Sequence, residues 1–219
     1  MKKIVIVIIF VFAFIVLFYC FNYVELLPGI KAYGKMELER FNQMIVTHSY
    51  MTNESVYERF INIERNESGE ISLVEFDMIQ ISQLANDIVV DIESTYAAIE
   101  NHNYTLKDDS YYEKRIYEVS KNGIISKISL SSLMNMPYLY KMLPSVSVRY
   151  KHLTKVNSSI IKKVENYGIN HIMIEIVIKV TMNHTIIYPF LEEMQEHSID
   201  IPILLEIYQG QIPLVYNSQ

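Results

Sequence analysis

Six histidines, His48, His102, His152, His171, His184 and His197, are the side chains of this sequence best suited to proton transfer or metal ligation. No two stand at a metal-ligand spacing, and neither a His-Glu-x-x-His stretch nor a Gly-x-Ser-x-Gly elbow occurs. His184 falls on the apolar side of an alternating run, where a satisfied core histidine is the plainer reading than a ligand. His171 precedes that run, and His197 sits among acids. Asp87 and Asp91 lie one helical turn apart and could share a cation, but no histidine or third acid is spaced to complete the site, so a solvated helix face accounts for them. Arg149, Lys151, His152, Lys155, Lys162 and Lys163 form a basic segment that could touch an anionic polymer or lipid headgroups; neutralising the chain's own acids is the favoured reading. Eleven methionines are dispersed and read as gap-fillers of a core rather than as a copper-type cluster. With six scattered glycines there is no phosphate-cradling loop. The residues therefore nominate no catalytic, cofactor-binding or metal-binding set.

Composition narrows the remaining classes. One cysteine in 219 residues excludes a disulfide scaffold, and a net charge of −6 argues against ordinary nucleic-acid binding, which needs a Lys/Arg surplus. Half of the residues are hydrophobic, and the excess is concentrated at the N-terminus. Residues 4–21 read IVIVIIFVFAFIVLFYCF without a charge, behind Lys2 and Lys3. As a helix this run spans about 27 Å, close to the hydrocarbon thickness of a bilayer. Bulky Phe18, Tyr19 and Phe21 stand where a signal-peptide cleavage site would need small residues, so the run reads as an uncleaved anchor over residues 1–23. The two lysines keep its N-terminus in the cytoplasm and put residues 24–219 on the far side. Without those lysines the outer part carries −8 rather than −6, since residues 1–23 hold no acid.

The elements that would position any chemistry follow from periodicity. Leu27-Pro28-Gly29 reads as a break after the anchor. Leu38, Phe41, Ile45 and His48 then define an amphipathic helix over 36–51. Residues 60–76 read as a hairpin turning at Asn66-Glu67-Ser68-Gly69. Asp77 caps a helix whose apolar face is Ile81, Leu84, Ala85, Ile88, Ile92 and Ile99. Asn103 to Ser110 is a polar loop. Arg115–Val119 and Ile124–Ile128 flank Asn122-Gly123, which predicts a second hairpin with a type I′ turn. A short helix is expected over 132–142 and a strand over 145–150. Ile172, Ile174, Ile176, Ile178, Val180 and Met182 make the most regular alternation, a long strand with one buried face. After an acidic loop containing Glu192, Glu193 and Glu196, Ile199 to Ile207 alternates again as its neighbour. The fold class is α+β: an N-terminal transmembrane helix followed by a single domain of amphipathic helices on a mainly antiparallel sheet.

The order of motifs in the C-terminal third, Gly168-Ile169-Asn170, Pro189-Phe190, Ile201-Pro202-Ile203, Gly210-Gln-Ile-Pro213 and Tyr216, resembles the sporulation protein YunB family of endospore-forming bacteria. The Asn66-to-Phe76 hairpin with its helix, the run Ser145 to Arg149 and the N-terminal anchor are similar to that family as well. The sequence departs from it at Leu143, at Leu205 and at Ile172. The resemblance implies a membrane-anchored protein needed for spore formation, at the membranes between mother cell and forespore, and no biochemical activity. Its matching residues, Gly168, Ile169, Asn170, Pro189, Pro202, Gly210, Pro213 and Tyr216, suit turns, bulges and sheet edges rather than catalysis.

The expectation is therefore a non-enzymatic, single-pass protein. Its partners are the membrane, through residues 4–21, and other envelope or sporulation proteins, with no nucleic acid, cofactor or small-molecule substrate. Two rivals stand beside it: an extracytoplasmic wall-polymer hydrolase built on His152, His171 or His184, and a small-ligand sensor with a closed pocket.

Overall fold

In the computed structural model, residues 2–54, 60–65, 67, 71–133, 140, 143–168, 171–189 and 191–209 are described, without the side chains of 2–9, 11–25, 54, 71, 72 and 209. The chain opens with one helix, α1 (Lys2–Glu54). A hairpin of β1 (Ile61–Arg65) and β2 (Ile71–Phe76) follows, then α2 (Met78–Glu100), α3 (Tyr111–Asn122), β3 (Ile124–Ser129) and a single turn, α4 (Leu130–Leu133). Three long strands complete it: β4 (Ser145–Asn166), β5 (His171–Tyr188) and β6 (Leu191–Gln209). The sheet is antiparallel throughout, in the order β3-β4-β5-β6, and β1 and β2 pair separately.

The strict alternation of β5 builds the core. Its even residues from Ile172 to Tyr188 are all buried. Helices α1 and α2 cover the part of this face nearer the β5–β6 turn through Leu38, Phe41, Ile45, Leu84, Ile88 and Ile92. At the other end Ile172 and Ile174 pack with Val74 of β2. The β1–β2 hairpin thus caps the end of the sheet that the helices leave bare.

The helix over 36–51, the first hairpin, the Asp77 cap and the apolar face of α2 all form as their patterns dictate. Asp77 Oδ1 accepts from Gln80 N–H at 3.0 Å. Elsewhere the structure differs from the pattern, each time for a visible reason. No break occurs at Leu27-Pro28-Gly29, because α1 runs through it. Proline and glycine inside a helix together cost about 4 kcal/mol. Burying Ile30, Leu38, Phe41 and Ile45 outweighs that at about 1.5–3 kcal/mol each. Gly34 lets α1 approach the sheet closely, since a Cβ there would lie 2.6 Å from Tyr188 Cε1 and 3.2 Å from Val148 Cγ1.

The second hairpin is instead a helix followed by a strand. Ser110 caps α3 by accepting from Glu113 N–H at 3.2 Å. Gly123, at φ 65°, ends the helix in the left-handed conformation, its N–H donating to Val119 O at 2.7 Å. Asn-Gly supplied positive φ, as its chemistry dictates, but to a helix C-cap. Of the short helix expected over 132–142, Ser132 and Leu133 fall in α4, and residues 134–139, 141 and 142 lie outside the described ones. The acidic loop is also strand: Tyr188 pairs with Leu191, so β6 starts before Glu192. β4 continues sixteen residues past Tyr150, to Asn166, because β5 pairs with it along that length despite its polar composition.

Among the described residues no helix is long and apolar enough to cross a membrane. The run Ile4–Phe21 that carries the anchor expectation lies within the backbone of α1, and its side chains apart from Phe10 lie outside the described residues.

Candidate functional site

Because residues paired across antiparallel strands share a face, the register places two polar rows among the apolar ones beneath α1 and α2. One is Leu153–His184–Gln195 and the next Val156–Met182–His197. His184 and Met182 are fully buried, and His197 is 5% exposed. The two imidazoles stand 6.4 Å apart between ring centroids. Tyr96 of α2 and Tyr150 of β4 lie over His184 at 5.0 and 5.9 Å. From α1, Asn42 accepts a hydrogen bond from the Tyr96 hydroxyl, and Glu39 Oε1 lies 3.5 Å from His197 Nδ1. On β6, Gln195 donates through Nε2 to the Tyr188 hydroxyl at 2.9 Å.

Several buried polar atoms of this cluster have no partner: both ring nitrogens of His184, Nε2 of His197, Oε1 of Gln195 and Nδ2 of Asn42. Each such atom costs about 1–3 kcal/mol. Burial, aided by the neighbouring His197, pulls the His184 pKa down to about 3. Burial also lowers that of His197, where Glu39 opposes the shift and Lys35 adds to it. Both imidazoles are therefore neutral at pH 7. Burial raises the phenol pKa of Tyr96 and Tyr150 and lifts that of Tyr188 to about 12, so all three keep their protons and act as donors. Chemically the cluster offers neutral nitrogen donors next to a thioether. An open groove of about 200 Å³ between Glu93, Glu100, Leu153 and Lys155 borders it, lined also by Tyr96.

A second constellation centres on Glu113, whose carboxylate is fully buried. It accepts from the Tyr104 hydroxyl at 2.8 Å and from Lys107 N–H at 3.0 Å, and it lies 3.2 Å from His48 Nε2. These contacts tie the C-terminal part of α1 to α3. Reading residues 115–119 as a strand hid this site, although Ser110-x-x-Glu113 is a helix-start signature.

The three histidines considered for hydrolysis are not brought together. His152 is on the opposite face of the sheet, 3.5 Å from Thr185 Oγ1. His171 is exposed at the start of β5, and His184 is in the core, where it meets His197, a residue the sequence had left in a loop. Among the described residues no group of three or more His, Cys, Asp or Glu side chains is placed to hold a metal ion. Within the basic segment, Lys151 pairs with Glu192 at 2.6 Å and Lys163 with Glu175 at 3.4 Å.

Of the motif residues, Gly168 adopts φ 73° in the β4–β5 turn, which Tyr167 N–H closes onto His171 O at 2.8 Å. Pro189 is in the β5–β6 turn. Pro202 lies on edge strand β6, where the register shifts between Ile176 and Val177. Ile169, Asn170, Gly210, Pro213 and Tyr216 fall outside the described residues.

A family model, described as sporulation protein YunB, matches residues 125–215, from the start of β3 through β6 and beyond. No curated protein and no solved structure matches the chain.

Proposed function

We infer, from a chain whose residues 125–215 match the sporulation protein YunB family, that it serves endospore formation as a membrane-anchored assembly protein. The observation that carries this reading is the continuity of α1. One helix holds the uncharged run of residues 4–21 and then, from Ile30 to Ser49, packs into the domain. Phe10, the described side chain of that run, is 75% exposed, as a lipid-facing residue would be. Lys2 and Lys3 orient the helix with its N-terminus in the cytoplasm. The domain then stands outside, and β4, β5 and β6 turn toward solvent a face carrying Ile161, Met194, Leu205 and Ile207, which suits contact with another envelope protein.

Two experiments test this. Reporter fusions at the two termini should place the C-terminus outside the cytoplasm in sporulating cells; a cytoplasmic C-terminus refutes the orientation. Replacing Leu205 and Ile207 by Glu should lower heat-resistant spore counts while the protein still accumulates. Full spore counts with both charges present would remove the assembly role from this face.

A further inference from the structure

The geometry points to a buried monovalent copper site formed by His184, His197 and Met182. The three residues belong to adjacent rows on one face of β5 and β6, with Met182 directly opposite His197 in the register. With metal–nitrogen bonds of about 2.0 Å, two imidazoles on one ion place their centroids roughly 5–6 Å apart. The observed 6.4 Å lies just beyond the long, near-linear end of that range, a difference that a small χ1 adjustment of either histidine removes. A monovalent d¹⁰ ion accepts near-linear nitrogen coordination, and a thioether beside it selects a soft ion.

The unpartnered atoms fit the same assignment. His197 directs Nδ1 toward Glu39, which leaves Nε2 without a partner, the division of labour of a metal-ligating histidine held by a carboxylate. His184 has two free nitrogens, and Gln195 Oε1, also free, lies opposite it in the register and can accept the N–H that the metal-bound tautomer keeps. All three ligands are neutral, and at His197 Glu39 attracts a cation while Lys35 repels one, so the buried site tolerates one positive charge far better than two. That balance favours Cu(I) over a divalent ion in so buried a place. The sequence dispersed its methionines and separated these histidines by thirteen residues; strand pairing reunites them.

The test uses the full chain in detergent with Cys20→Ser, so that the lone thiol does not compete, titrated anaerobically with Cu(I) against a bicinchoninate competitor. One equivalent of Cu(I) should be retained, with nitrogen and sulfur scatterers in its X-ray absorption spectrum. His197→Gln and the volume-conserving Met182→Leu should each weaken retention by about 100-fold, and Glu39→Gln by about 10-fold. Far-UV circular dichroism of each variant establishes that it has folded, and Met182→Leu keeps the test decisive if the histidine variants do not. Failure of the wild-type chain to hold Cu(I) overturns the proposal. So does retention unchanged by Met182→Leu and His197→Gln, or preferential retention of Zn²⁺.

Discussion

Acidification should destabilise this domain through His184, by an amount that follows from its surroundings. The imidazole is fully buried, with Tyr96 of α2, Tyr150 of β4 and His197 of β6 around it. Glu39 and Lys35 of α1 act on it only through His197. Its folded pKa of about 3 is below the ordinary 6.5, so between those values the unfolded chain binds the proton and the folded one does not. Stability is therefore complete above pH 6.5 and falls as pH drops toward 3. At pH 5 the loss is about 2 kcal/mol relative to pH 8, because the unfolded imidazole then gains that much from protonation. The figure depends on the unfolded value and holds for any folded pKa well under 5. His197 shifts in the same direction and adds to it. Urea melts of the metal-free chain at pH 8, 6.5 and 5, compared with His184→Leu, measure the effect. The variant should lose about 2 kcal/mol less over that interval. Parallel pH dependence in the two proteins would refute the reasoning.

Gly34→Ala should lower stability by about 1–3 kcal/mol despite alanine's better helix propensity, since its Cβ would meet the buried Tyr188 ring at 2.6 Å; thermal melts would register it. Glu113→Ala should cost about 3 kcal/mol or more, because it strips Tyr104, Lys107 N–H and His48 of one shared acceptor. Glu113→Gln, which keeps an acceptor oxygen, should cost less, and equal losses in denaturant melts would contradict this account. Gly123→Ala should cost about 1 kcal/mol through its left-handed φ of 65°.

Legibility in the sequence followed the strength of periodicity. The alternation of β5 and the stripe of α2 were readable because one face of each is apolar without interruption, so local pattern and tertiary burial agree. Residues 151–166 were not, because β4 is paired along its length but mostly exposed there, and a wetted strand leaves little period-two signal. The acids of β6 misled similarly, since Glu192 and Glu193 sit in a strand that meets Lys151 and Lys31. At Asn122-Gly123 the local chemistry was right and its context wrong. Positive φ serves a hairpin or a helix end equally, and Glu113, Ile116 and Val119 on one helical face decide for the helix. The histidine pair was beyond reach, for it depends on a register in which Met182 faces His197, and thirteen residues of separation do not announce that.

The same register explains why α1 cannot be treated as a mere tether. Along successive turns it presents Lys31 to Glu193, Gly34 to Tyr188, Glu39 to His197, Asn42 to Tyr96, His48 to Glu113 and Ser49 to the carbonyl of Ile88. The six contacts reach four elements, β6, β5, α2 and α3, and at every one a polar group or a close approach is involved. Sliding the helix by one turn would separate all of these pairs at once, take His48 from Glu113 and leave the Asn42 carbonyl oxygen and the Tyr96 hydroxyl without each other, at about 1–3 kcal/mol for each buried polar atom. Greasy contacts tolerate such slippage far better, because one apolar side chain can replace another. The polar contacts therefore hold α1 in one axial position, so that residues 4–21, on the same continuous helix, keep a constant distance from the histidine pair.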